Sequence, residues 1–266
     1  MTAALAHRGP DGDDSFVDAP VGLGHRRLAI IDLTPAARQP MSDGSGRYVI
    51  TYNGEIYNYR ELRVELERLG HRFRSQSDTE VLVNAWAEWG VKALGRLNGM
   101  FAFAVWDSRE RTLTLARDRY GIKPLYYAST GNALLFGSEV KALLAHPGFG
   151  AALDREALLE YFTFQNLFTD RTLFRGARLL PPGCYMVATA AAPAPTAPVR
   201  YWDFDFRDAD QPPLEAECME EFDRLFQQAV RRQLVSDVEL GAYLSGGIDS
   251  GSITAIASRQ LPYIKT

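Results

Sequence analysis

The sequence predicts an α+β fold, a strand-rich first part followed by a shorter α/β segment. Three observations point to it. Short β-rich runs separated by turn residues dominate the first half, amphipathic helices with recognisable caps interrupt them, and a Gly-rich turn sits between an apolar run and a helix near the C-terminal end. The division falls near residue 210, giving segments 1–210 and 211–266.

In chain order, Gly22 to Leu33 and Tyr48 to Tyr52 have the composition of strands. Tyr59 to Leu69 places Leu62, Leu66 and Leu69 at helical spacing, and Gly70 stands where a C-terminal cap belongs. Ser77-Asp78-Thr79-Glu80 has the form of a capping box, with Val81, Leu82, Ala85 and Trp86 as the apolar stripe behind it and Gly90 as the stop. Strands are expected at Met100 to Asp107, Thr112 to Arg117, Leu125 to Ala128, Ala133 to Gly137 and Cys184 to Ala188, with a brief helix at Val140 to Ala145. The Ala/Pro run from 190 to 198 has no pattern that could build a core and is expected to be an exposed loop. Tyr201 to Pro213 is expected to be a linker, and Glu215 to Leu234 an amphipathic helix. Beyond it a strand is expected at Gly241 to Leu244, a helix from about Ser250 to Arg259, and the start of another strand at Tyr263.

Composition narrows the function. The 266 residues are 46% hydrophobic and carry a formal net charge of −4, with an isoelectric point near 5.7. That leaves no basic footprint for nucleic acid or an anionic membrane, so small polar ligands are the expected partners. Cys184 and Cys218 are too few for a disulfide framework or a metal cluster. No secretory signal or membrane-length apolar run is present, and the expected location is cytoplasmic.

Leu244-Ser245-Gly246-Gly247-Ile248-Asp249-Ser250 stands between a predicted strand and a predicted helix, where backbone N–H groups and hydroxyls can cradle a phosphate. A bare Ser-Gly-Gly would be an ordinary turn. The longer string resembles the pyrophosphate-binding loop of the ATP pyrophosphatase superfamily, which splits ATP between its α and β phosphates. The resemblance implies that Ser245, Gly246, Gly247 and Ser250 hold the pyrophosphate, that Asp249 helps to bind magnesium, and that Leu244 lies near the adenosine.

Further strings lie upstream: His7-Arg8-Gly9-Pro10-Asp11-Gly12, Arg27 to Asp32, Tyr52-Asn53-Gly54-Glu55-Ile56-Tyr57-Asn58, Ser77 to Glu80, Arg117 to Tyr126 and Ser138 to Leu143. Taken singly, each has a plain structural reading: Asn53-Gly54 is a strong type I′ turn signal, Ser77 to Glu80 a cap, and Asp118 to Pro124 a loop between strands. Together, in this order, they resemble the glutaminase domain of class II amidotransferases, and the downstream loop narrows the resemblance to the glutamine-hydrolysing asparagine synthetase family. The implied fold is an N-terminal-nucleophile hydrolase-like αββα sandwich, followed by the first βα unit of an α/β ATP-pyrophosphatase domain.

The resemblance also implies residue roles. Free glutamine presents a carboxylate, an ammonium and an amide, and a selective pocket must meet all three. Arg27 would take the carboxylate with its planar guanidinium, and Asp78 the ammonium. The Asn53 side-chain amide and the Gly54 N–H would form the oxyanion hole, and backbone groups around Ile30, Ile31 and Glu55 would complete the pocket. Arg8, Asp11, Arg26 and Asp32 are expected in structural salt bridges.

In that family the nucleophile is a cysteine at residue one whose own α-amino group is the base. Only six residues precede His7, none of them cysteine, and Thr2 lies too near His7 to substitute. The expectation is therefore a chain shortened at both ends: its complete parent makes asparagine from aspartate, glutamine and ATP through β-aspartyl-AMP with Mg2+, while the chain itself is inactive and binds neither ATP nor the metal tightly. A non-catalytic glutamine-binding or regulatory module, or part of a related amide or β-lactam synthetase, is the alternative.

Overall fold

The computed structural model describes residues 1–206 and 213–266, in two units: residues 1–29 with 34–203, and residues 30–33 with 204–266. The domain boundary expected at 210 lies outside the described residues.

The first unit is built on a six-stranded antiparallel sheet in the order β11 (Val199–Arg200), β10 (Cys184–Thr189), β6 (Thr112–Arg117), β5 (Gly99–Asp107), β4 (Tyr48–Ile56), β3 (Met41–Ser42). Beside it lie the hairpin β1 (Gly12–Asp18) and β2 (Val21–Arg27) and a three-stranded sheet of β8 (Ala133–Gly137), β7 (Tyr126–Thr130) and β9 (Arg178–Leu179). Side-chain alternation along β5 separates the two faces of the large sheet. Ala102, Ala104 and Trp106 turn to the inside of the sandwich, where they join Val49, Leu115 and Met186 and meet Leu23 of β2 and Tyr127 of β7. Phe101 and Phe103 turn the other way, toward α1 (Tyr59–Arg68) and α2 (Asp78–Trp89), and the Phe103 ring meets Trp86 of α2 edge-on. On the far side, α3 (Val140–Leu144) packs Leu143 against Ala128 and Leu135 of the small sheet. The layers are helix, sheet, sheet, helix, the αββα sandwich of the N-terminal-nucleophile hydrolase fold. Phe101, Phe103 and Trp106 are almost wholly buried, each contributing on the order of 2–3 kcal/mol by removal of apolar surface from water.

The local signals explain the two helices that flank the site. Leu62 and Leu66 bury one face of α1, while Leu69, expected on the same face, is exposed at the C-terminal cap, one turn too late to reach the sheet. Ser77 caps α2, its hydroxyl accepting from the Glu80 N–H at 3.2 Å. The return arm of the expected box is absent, because the Glu80 carboxylate turns instead to the N–H groups of Arg74 and Ser75 and to the Ser75 hydroxyl at 2.6 Å.

Other expectations change in three dimensions. Only Val21–Arg27 of the run to Leu33 is strand. Asn53-Gly54 is not a turn: both lie inside β4, paired with Ala102 and Phe101 of β5. A Cβ at Gly54 would stand 2.1 Å from the Met100 carbonyl oxygen, so close strand approach, not a turn, requires glycine there. The helix α4 (Arg155–Phe164) went unanticipated; its visible mark is the Asp154 cap, whose carboxylate accepts from the Glu156 and Ala157 N–H groups.

In the second unit, α5 (Glu215–Arg232) and α6 (Ile248–Ser258) pack Val230 against Ile256 and Ala257. The strand expected at Gly241 to Leu244 is reduced to one parallel bridge, Gly241 with Lys265, since a single pairing cannot extend a ladder. The final helix starts at Ile248, two residues before the expected Ser250. No helix among the described residues is long and apolar enough to cross a membrane.

Candidate functional site

The register of β4 gives the site its geometry. Phe101 of β5 turns its N–H and C=O toward Asp118, not toward β4: the Asp118 N–H donates to the Phe101 C=O and the Phe101 N–H to the Asp118 carboxylate. Its partner Gly54 therefore presents its own N–H to the opposite edge, together with Tyr52 and Ile56 at the same parity. Two members of this row are capped. The Tyr52 N–H donates to the Gln39 side-chain oxygen at 2.7 Å, and the Ile56 N–H to Asp78 Oδ2 at 3.0 Å. Gly54, between them and beyond the end of β3, is half-buried, and its N–H has no hydrogen-bond partner among the described residues.

Asp78 opens α2 and is 5% exposed. Its Oδ2 also accepts from the Tyr52 hydroxyl at 2.8 Å. Burial pushes its carboxyl up, opposed by the Ile56 N–H, the Tyr52 hydroxyl and the N–H groups of Thr79 and Asp78 itself. Burial, with the Asp78 charge beside it, also raises the Tyr52 phenol well above its ordinary range, which keeps it a donor. Gln39 ties the same corner together, its amide nitrogen donating to the Thr79 hydroxyl at 3.2 Å.

Asn53 lies on the other face of β4, where its amide nitrogen reaches the Ser138 hydroxyl at 3.5 Å. An amide has two N–H donors, so this contact leaves one for a ligand. Next to Ser138, Glu139 accepts from His7 at 2.8 Å and Arg8 at 3.1 Å and lies 3.0 Å from the Lys141 ammonium. Burial would raise the Glu139 carboxyl, but Lys141, His7 and Arg8 outweigh it and hold it at about 2. Glu55 is raised by burial and the Asp78 charge and pulled back by Lys123, whose own ammonium burial lowers.

Arg27 ends β2, and its Nη1 donates to the Thr34 carbonyl at 2.9 Å. Two residues earlier, His25 is held down to about 4 by burial and the Arg27 charge, and its Nδ1 stands 3.3 Å from the Thr51 hydroxyl on β4. Ile30 and Ile31 belong to the second unit, where the Asp237 N–H donates to the Ile30 carbonyl at 2.9 Å and the Asp237 carboxylate accepts from the Asp32 N–H at 2.7 Å. Of the residues expected in structural salt bridges, Arg26 pairs with Asp13 at 3.4 Å and Arg8 with Glu139. Asp11 accepts instead from the Ala29 N–H. Sequence reasoning missed Gln39 and Tyr52, whose roles depend on contacts 13 to 40 residues distant. Cys184 is buried inside the sandwich, where burial raises its thiol.

In the second unit, Ser245 and Ser250 bring their hydroxyls within 3.0 Å of one another. The Ser250 hydroxyl also donates to the Gly247 carbonyl at 3.1 Å, and Gly246 has φ +85°. No side-chain hydrogen bond caps α6, and Leu244 and Ile248 beside it are exposed. These hydroxyls and helix N–H groups fit a phosphate. Asp249 supplies one carboxylate, and no group of three or more metal-ligating side chains occurs among the described residues, so a magnesium ion here would be held largely by phosphate oxygens and water.

Residues 1–202 match the family described as a glutamine amidotransferase domain, and residues 221–266 the family described as asparagine synthase. Among curated relatives, asparagine synthetase [glutamine-hydrolyzing] 3 of Bacillus subtilis is 42% identical over 97% of this chain and 42% of its own length. Asparagine synthetase [glutamine-hydrolyzing] 1 of the same organism is 38% identical over 100% of this chain and 41% of its own length. Amidase chry2 of Gibberella zeae is 37% identical over 96% of this chain and 37% of its own length. The chain spans less than half the length of each of these relatives.

Proposed function

The chain belongs to the glutamine amidotransferase family, an enzyme class, and from that premise we propose that its first unit binds free glutamine at the open edge of β4. The observation that carries this reading is the row of N–H groups on that edge, capped by Gln39 and Asp78 on either side and open at Gly54. A side-chain amide oxygen placed there meets the Gly54 N–H and the second N–H of Asn53. The same pair would stabilise the oxyanion of a tetrahedral intermediate, a contribution of roughly 3 kcal/mol per donor. Arg27 takes the α-carboxylate and Asp78 the α-ammonium, with the backbone of Glu55 beside them.

For the whole protein we propose glutamine-dependent asparagine synthesis: ammonia released from glutamine attacks β-aspartyl-AMP formed from aspartate and ATP. The Ser245, Gly246, Gly247 and Ser250 loop would hold the pyrophosphate of ATP, next to Leu244 on the adenosine side. Mg2+ would neutralise the phosphate charge, with Asp249 as its protein ligand. The acceptor is the finest part of the proposal, because a relative named an amidase is nearly as similar as those named asparagine synthetases. A second reading, glutamine binding without hydrolysis by residues 1–266, is favoured by the burial of Cys184 among apolar side chains, which leaves it no approach to the edge of β4.

Calorimetric titration with glutamine, alongside Arg27→Ala and Asp78→Ala, with ammonia measured in the same buffer, tests both. Binding lost in both variants, with no ammonia released, is the expected result for residues 1–266. Ammonia release abolished by both variants would replace the second reading with hydrolysis, and an unchanged affinity in the variants would sink the site.

A further inference from the structure

We propose that Tyr52 is a positioning residue of the glutamine site, orienting the Asp78 carboxylate for the substrate's α-ammonium while anchoring the other flank of the Gly54 N–H. The inference rests on the reading of Asp78 as the ammonium partner. Tyr52 is 4% exposed and turns its ring to the helix face of the sheet, opposite Phe103. It uses both of its polar groups. Its N–H is held by Gln39, which is itself tied to Thr79 at the start of α2, and its hydroxyl donates to Asp78 Oδ2.

The Ile56 N–H donates to that same oxygen. Two donors converging on Oδ2 from different directions fix the rotation of the carboxylate, and with it the place of Oδ1. With the hydroxyl removed, Oδ2 loses one of its two donors from β4, and the carboxylate keeps only backbone N–H groups, those of Ile56, Thr79 and Asp78 itself, to set its orientation. Gly54 lies midway between the two anchored groups along the strand, so one residue, through its backbone N–H and its hydroxyl, links the donor row to the anion next to it. Charge-assisted hydrogen bonds of this kind are the stronger ones, and their geometry governs which ligand atoms are met.

A purely structural role would weaken all ligands alike; a positioning role acts only on what Asp78 touches. The test is calorimetric titration of wild type, Tyr52→Phe, Asp78→Asn and the double variant with L-glutamine and with 5-amino-5-oxopentanoate, the same molecule without its α-ammonium. Tyr52→Phe keeps the ring and is expected to fold, which its urea midpoint verifies. We expect it to lose about tenfold in glutamine affinity, to bind the amino-free analogue as wild type does, and to add no further loss in the Asp78→Asn background. Equal losses for both ligands, or none, would overturn the positioning role and leave the glutamine site standing. Wild type that binds neither ligand would overturn the site itself and this inference with it; Asp78→Asn with unchanged glutamine affinity would overturn the ammonium assignment and the inference but not the site.

Discussion

Two glycine-containing loops of this molecule differ in what fills them. The loop from 118 to 124 follows β6 and carries its own anion. Asp118 is fully buried, and its carboxylate accepts from the N–H groups of Phe101, Tyr120, Ile122 and Lys123 at 2.9 to 3.1 Å. The adjacent Arg117 guanidinium closes the loop from the other side, donating to the carbonyls of Gly121, Lys123 and Leu180. The loop from 244 to 250 has the same kind of donors and no anion folded into it. Its hydroxyls pair with each other, and the start of α6 has no side-chain cap. A turn-rich loop that supplies its own carboxylate is thus a strut; one that leaves its donors outward is suited to a ligand's phosphate.

The largest expected effect lies in the strut. Asp118→Ala removes a fully buried carboxylate that accepts from four N–H groups, and a loss of about 4 kcal/mol in unfolding free energy is expected. Urea denaturation checks it, with hydrogen exchange of β5 and β6 to place the loss. A cost below about 1 kcal/mol would mean that water reaches those N–H groups, and the contrast between the loops would collapse.

A matched pair of glycines sharpens the contrast. Gly121 and Gly246 both have left-handed backbones, φ +66° and +85°, so alanine costs each about 1 kcal/mol for conformation alone. Their surroundings differ. A Cβ at Gly121 would stand 2.9 Å from the Arg117 guanidinium carbon and from Pro182, whereas one at Gly246 meets nothing within 4 Å. Gly121→Ala is expected to cost about 3 kcal/mol in all and Gly246→Ala about 1. Equal costs, measured by the exchange of β6 and of α6, would show that local packing does not distinguish the two loops.

How much of this was written in the sequence depends on the range of the contact. Local signals sufficed for α1 and α2, because Leu62, Leu66, Ser77, Gly70 and Gly90 act within a turn or two of helix. They misread Asn53-Gly54, whose turn preference is overridden by the pairing of β4 with β5 and by the Met100 carbonyl against Gly54. The motif strings nominated Asn53, Gly54 and Asp78 as neighbours in function. That the Gly54 N–H is the open member of a capped row follows only from the register of three strands, from Gln39, which lies outside every motif string, and from Tyr52, which stands in one without a role assigned to it. Similarly, Asp118 to Pro124 reads as a loop, and its closure depends on Phe101 and, through Arg117, on Leu180, distant in the chain.

The smallest effect is expected where the donors face outward. Ser245→Ala and Ser250→Ala remove hydroxyls that bond chiefly to one another at an exposed turn, and water replaces each partner without leaving a buried group unpaired. Each should change stability by less than about 0.5 kcal/mol, in the range of ordinary surface substitutions. Exchange rates along α6 in the two variants measure this directly. A cost above about 1.5 kcal/mol in either would mean that the hydroxyl pair is what holds the start of α6 in place, as Asp118 holds its own loop. The two loops would then be two struts, and the phosphate assignment for Ser245 and Ser250 would lose its physical basis.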